Sequence, residues 1–126
     1  MAPASADSLA AAIERERPTL RHDSATVLSL STEGATIEAD YAGTALRRLH
    51  ADFLGETGRA SETYYFADRL MLVIRRDYRY DAPLSGRVID STIRRFDLRD
   101  SAAAPAQAES LRAGARALLA ALARRE

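Results

Sequence analysis

A chain of 126 residues with 47% hydrophobic and 29% charged residues has the size and composition of one globular domain, which excludes a wholly disordered chain. Its 18 basic and 18 acidic residues cancel. A dedicated nucleic-acid binder, which carries a basic excess to displace counterions, is therefore not expected, nor is a surface held on anionic lipid. The lack of cysteine removes disulfides, thiolate nucleophiles and cysteine-based zinc sites from consideration.

Every basic residue is arginine and none is lysine. The alanine-rich composition fits coding bias in a GC-rich genome; the alternative is planar-fork recognition of oxyanions. No stretch approaches the roughly 18 apolar residues a membrane span needs. Met1-Ala2-Pro3-Ala4-Ser5-Ala6 has no basic region followed by an apolar core, so no signal peptide is read there. Small residues behind the methionine resemble a mature exported chain, and a periplasmic or secreted location is expected, with a cytoplasmic one left open.

In chain order, residues 5–17 read as a helix. Ser5 or Asp7 caps it, Leu9 and Ile13 share a face, and Pro18 stops it. Glu14, Arg15, Glu16 and Arg17 read as a solvated charge run. From 25 to 98 the period changes to two, the mark of half-buried strands. A strand is expected over Thr26 to Ser31, with a turn at Thr32-Glu33-Gly34. In the next, Ala35, Ile37, Ala39 and Tyr41 alternate with Thr36, Glu38 and Asp40. Ala45 to Leu54, Ser61 to Phe66, Leu70 to Tyr80 and Val88 to Leu98 follow, separated by glycine- or proline-bearing turns. Asp100 to Ala104 is a small-residue linker. Pro105 opens a helix over 105–125 whose Leu111, Ala115, Leu118, Leu119 and Leu122 form an apolar stripe. That stripe packs on one sheet face or, alternatively, on a partner. The fold class is therefore α+β, one domain over 1–126, with an antiparallel meander of five or six strands flanked by an N-terminal and a C-terminal helix.

An aromatic residue closes a strand beside a turn at Tyr41, Phe66 and Phe96, a plan that clamps hairpins by cross-strand packing. The stretch Glu62-Thr63-Tyr64-Tyr65-Phe66-Ala67-Asp68-Arg69-Leu70, with Arg79-Tyr80-Asp81-Ala82-Pro83-Leu84, resembles small exported bacterial proteins with tyrosine-rich, MORN-like β-hairpins. The likeness covers about residues 35 to 100. Arg69 stands where a tight turn favours glycine, and the Ala-rich C-terminal helix replaces a final return strand. The resemblance implies an envelope location and an interaction role, and transfers no catalytic residue.

His50 and Asp52 share a strand face and could serve general-base chemistry, although no Ser or Cys nucleophile in recognisable context accompanies them. The two histidines and scattered acids form no metal-ligand motif, and the glycines form no phosphate or dinucleotide loop. No cofactor is expected. The most informative strand is Leu70 to Tyr80, where Arg76, Tyr78 and Tyr80 share one face. With Tyr64 or Tyr65 from the neighbouring strand they form a candidate binding platform for a carboxylate or sugar. The competing expectation pairs Arg76 with Glu62 and packs the tyrosines under a helix. The functional expectation is a non-enzymatic binding or interaction protein of the bacterial envelope, monomeric or homodimeric, whose partner is a protein or a small acidic or sugar-like ligand. Alternatives are a small hydrolase or isomerase using His50 and Asp52, and a carrier of a small apolar ligand.

Overall fold

The structure is a computed structural model that describes residues 5–30, 33–99 and 105–124. Helix α1 spans Ala6–Glu16. The Ser8 backbone N–H donates to Ser5 Oγ at 3.1 Å, so Ser5 is the cap. A single 3₁₀ turn, Arg17–Thr19, places Pro18 where a missing N–H costs nothing. Six strands follow: β1 (Arg21–Val27), β2 (Ala35–Ala42), β3 (Ala45–Leu54), β4 (Gly58–Phe66), β5 (Leu70–Tyr80) and β6 (Val88–Asp97). They form one antiparallel sheet in meander order, β1 to β6. Helix α2 spans Pro105–Arg124. The expected linker 100–104, residues 31 and 32 and the helix end at 125 lie outside the described residues.

The first strand departs from expectation. It occupies Arg21–Val27, and Leu28–Leu30 forms a second 3₁₀ turn in place of a strand over Thr26 to Ser31. Backbone pairing decides this. Arg21 through Val27 pair in unbroken register with Tyr41 back to Ala35, which satisfies their peptide groups despite polar side chains.

The two helices lie on opposite faces of the sheet. α2 buries Ala115, Leu118, Ala121 and Leu122 against Val27, Ile37, Ala39, Leu49, Ala51, Tyr64 and Val73. These sheet residues are alternate positions of neighbouring strands and form the larger core. α1 buries Ala6, Leu9 and Ile13 against Tyr65 and Leu72 on the other face. Residues 64 and 65 thus head into different cores.

Candidate functional site

On the α1 side, register aligns side chains in rows across the sheet. One row runs His22, Asp40, Arg48, Tyr65, Leu72. The next runs Ser24, Glu38, His50, Thr63, Ile74, and a third Thr36, Asp52, Ser61, Arg76, Ile93. α1 covers only the apolar end of the first two rows, at Tyr65, Leu72 and Ile74. The rest of this face is polar, in contrast to the apolar face under α2.

The C-terminal end of α1 is held by charge. Glu14 Oε2 accepts from Arg48 Nε at 2.9 Å and from the Tyr65 hydroxyl at 2.5 Å. Arg17 Nη1 donates to Glu14 Oε1 at 3.2 Å, and its Nε lies 3.6 Å from Asp40 Oδ2. Arg48 Nη1 lies at the same 3.6 Å from that oxygen, and His22 Nδ1 donates to Asp40 Oδ1 at 2.7 Å. Asp40 is buried at 2% exposure and ringed by three cationic or potentially cationic groups, as a buried charge requires. Burial alone would raise the Glu14 carboxyl; the Tyr65 hydroxyl and the Arg48 and Arg17 guanidiniums outweigh it and hold the group below its ordinary value. Burial and the Glu14 carboxylate together push the Tyr65 phenol up to about 12. A hollow of about 560 Å³ opens beside this cluster, lined by Glu14, Arg17, Pro18, Leu20, His22, Glu38 and Asp40. The supposed solvated run on α1 is therefore corrected: Glu14 and Arg17 are anchors.

His50 sits in a relay. Its Nε2 donates to Asp52 Oδ2 at 3.2 Å, and its Nδ1 lies 2.7 Å from Thr63 Oγ1. An ionised carboxylate only accepts, so in the neutral ring the proton is on Nε2 and Thr63 donates to Nδ1. Both ring nitrogens are engaged within the sheet, and Thr63 is only 3% exposed.

The candidate platform residues are divided by the fold. Arg76 and Tyr78 alternate onto the open face of β5, opposite Ser61 and Arg59 of β4. The Arg59 guanidinium stacks over the Tyr78 ring at 4.8 Å. Tyr80 is half-buried at the strand end, past an irregularity between Arg79 and Tyr80, where its N–H donates to Thr57 O at 2.8 Å. Tyr65 shares the Arg76 face but lies beneath α1, bonded to Glu14. Tyr64 is buried on the opposite face, its hydroxyl donating to Glu62 Oε1 at 3.0 Å, and burial first and the Glu62 charge second raise its ionisation well above the ordinary value. The carboxylate of Glu62 meets Arg75 Nη1 at 2.9 Å, not Arg76.

This pairing leaves an asymmetry. Arg48, Arg75, Arg79, Arg94 and Arg95 of the sheet each have a carboxylate partner, with Asp77 bridging Arg75 and Arg94. Among the described residues no carboxylate pairs with the side chain of Arg76, nor with that of Arg59, whose contact is the Tyr78 ring; the same holds for Arg47 and for Arg21, which stacks over the Tyr41 ring at 4.3 Å. A hollow of about 330 Å³ adjoins Arg59 and Tyr78 but not Arg76, and Phe53, Gly58, Ala60, Asp77 and Arg79 are among its other lining residues. Arg59 was not foreseen, because its meeting with Tyr78 depends on the β4–β5 register and not on local spacing.

Fold and face together define a class: a single-sheet α+β meander with an apolar face sealed by its C-terminal helix and a polar face left largely open. Comparison with known proteins finds no matching family model, no matching curated protein and no matching solved structure. Among the described residues no helix is long and apolar enough to cross a membrane, and no group of three or more His, Cys, Asp or Glu residues is placed to hold a metal ion.

Proposed function

We propose that this chain is a non-enzymatic binding protein of the bacterial envelope that captures a carboxylate-bearing ligand, a sugar acid or an acidic segment of a partner, at Arg59, Arg76 and Tyr78. The observation that carries this reading is the Arg59 guanidinium stacked over the Tyr78 ring, with Arg76 two residues before Tyr78 on the same strand face and neither guanidinium paired to a carboxylate among the described residues. A guanidinium fork offers two parallel donors to a carboxylate, and a tyrosine beside it gives contact area at low entropy cost. The envelope location rests on the resemblance of residues 35 to 100 to exported tyrosine-rich hairpins.

The enzyme reading is less well supported. A Thr63–His50–Asp52 relay has the composition of a nucleophile, base and orienter, but a hydroxyl at 3% exposure offers a substrate carbonyl no approach. The carrier reading meets the packed side chains of Val27, Ile37, Leu49, Tyr64, Leu118 and Leu122, which fill the space beneath α2.

The test is a titration of the isotope-labelled chain with tetraglutamate and with glucuronate, followed by amide shifts. Binding is expected to move the amides of β4 and β5 around Arg59 and Tyr78. Arg76→Ala is expected to weaken binding about tenfold, the scale of a hydrogen bond to a charged group, while leaving the unfolding midpoint nearly unchanged. Shifts confined to the His22–Asp40 hollow, or affinity indifferent to an Arg59→Ala/Arg76→Ala double variant, would overturn the assignment.

A further inference from the structure

The strand at the free edge, β6, pairs with β5 alone, and residues 88–95 are exposed on both faces. It presents Val88, Ile89 and Ile93 to solvent and contains neither proline nor lysine. Native proteins protect such edges with short length, inward charges, proline or bulges, because an open ladder templates pairing with another chain. What protection there is comes from the charges of Asp90, Arg94 and Arg95 and from an extra residue at Ile89, where Arg79↔Asp90 is followed by Tyr80↔Val88. The opposite edge, β1, is shorter, begins with Arg21-His22-Asp23-Ser24 and is contacted by α2.

The geometry points to a second copy of this chain as the occupant of the β6 edge, joined antiparallel about a two-fold axis at Thr92. The Leu98 N–H donates to Met71 O at 3.0 Å, which sets the phase of the β5–β6 ladder. With the register Val73↔Phe96, Arg75↔Arg94 and Asp77↔Thr92, even-numbered residues of β6 turn their peptide groups inward and Ser91, Ile93 and Arg95 turn theirs outward. A two-fold axis normal to the sheet places like-facing residues opposite one another. Among registers that overlap more than the last few residues, only the one centred on Thr92 sets acid against base. Asp90 then faces Arg94 of the second copy, and Arg94 faces Asp90, in the closely spaced non-hydrogen-bonded positions. Ser91 and Ile93 exchange backbone hydrogen bonds, and Thr92 faces Thr92. The β5–β6 loop does not obstruct this edge, because it folds toward the β3–β4 turn, where the Leu84 N–H donates to Glu56 O at 2.7 Å.

Pairing also completes the platform. Tyr78 faces Ser91, and Arg76 faces Ile93 within each chain. Across the axis Ser91 meets Ile93, so the Tyr78 row of one copy runs into the Arg76 row of the other, and the two platforms become one surface. This consequence rests on the Arg59–Arg76–Tyr78 reading; the pairing itself does not.

Sedimentation of the full chain without ligand tests it. At tens of micromolar the expected mass is twice 13.8 kDa. Asp90→Arg and Arg94→Asp each place like charges opposite at both contacts and are expected to weaken the dimer about tenfold or more. An equimolar mixture of the two variants restores opposite charges at both contacts and regains the dimer, which a folding defect would not do. Ser91→Pro removes an outward N–H while sparing the β5 ladder and is expected to be monomeric. A monomeric wild type, a dimer indifferent to both reversals, or a mixture that stays monomeric overturns the pairing. A charge-dependent dimer that binds no acidic probe leaves the pairing standing and removes only the platform reading.

Discussion

Tyr65 donates a 2.5 Å hydrogen bond to the Glu14 carboxylate, joining the fourth strand to the first helix across 51 positions of sequence. The same oxygen accepts from Arg48, so one carboxylate fastens α1 to two strands.

The first prediction concerns pH. Glu14 has a folded value below its ordinary 4.5, so its contribution to stability is present above pH 4.5 and is lost as pH falls through the lower folded value. Tyr65 is raised from 10 to about 12, so its contribution is full below pH 10 and is lost as pH climbs toward 12. Tyr65→Phe is expected to cost about 2 kcal/mol at neutral pH, as for a hydrogen bond to a charged acceptor. Denaturant midpoints measured against pH should show that deficit shrinking between pH 10 and 12. A deficit that persists undiminished would mean the phenol does not anchor Glu14.

The second prediction concerns α2. Leu118 is 4% exposed within the larger core, and Leu118→Ala is expected to cost about 2–5 kcal/mol in urea unfolding. A cost under 1 kcal/mol would show that the helix rests only loosely on the sheet.

The third uses the close approach of α2 to β4. A Cβ at Gly114 would lie 3.2 Å from the Tyr64 hydroxyl, which is fixed by Glu62. Gly114→Ala should gain about 1 kcal/mol of helix propensity and lose much of it to that contact. In a Tyr64→Phe background the obstructing oxygen is gone, and the same change should be clearly more stabilising. A double-mutant cycle with no coupling would remove the contact from the account.

The fourth concerns the end of the sheet that carries the platform. At Gly58 an added Cβ would fall 2.1 Å from the Tyr78 carbonyl oxygen, a backbone atom that cannot swing away. Gly58→Ala is expected to cost about 3 kcal/mol, the upper part of the overpacking range, and to disturb the Arg59–Tyr78 stack. Unfolding midpoints and the amide shifts of Arg59 and Tyr78 check it; an unperturbed stack with full stability contradicts it.

Much of this architecture was legible in the residues. The alternation of Ala35, Ile37 and Ala39 and the stripe of Leu111, Leu118 and Leu122 follow directly from the periods of strand and helix, and both face the α2 core. β5 spans Leu70–Tyr80 as its aliphatic start and aromatic end imply. β1 was not legible as it stands, because Arg21-His22-Asp23-Ser24 has poor strand propensity and its pairing with β2 is a non-local term. Glu14 resembled the charges around it, since only the folded sheet brings Arg48 and Tyr65 to it. The candidate platform was legible within a single strand, where Arg76 and Tyr78 share a face by alternation. It was not legible between strands: whether Tyr64 or Tyr65 joins that face depends on register, and a shift of one residue exchanges them.

The last prediction separates binding from catalysis at His50. Both of its ring nitrogens are engaged, and its loss leaves the buried Thr63 hydroxyl without its acceptor. His50→Ala is therefore expected to cost about 1–3 kcal/mol, the penalty of an unsatisfied buried polar group. His50→Gln keeps one donor and one acceptor in place and should recover part of that loss. Neither change touches Arg59, Arg76 or Tyr78, so affinity for tetraglutamate or glucuronate should stay within about twofold of the parent, given the additivity of separated sites. Esterase and phosphatase turnover of broad chromogenic substrates is expected at the level of buffer in all three proteins. Turnover in the parent that disappears in both variants, with folding intact by circular dichroism, would make His50 a catalytic base and set the binding reading aside.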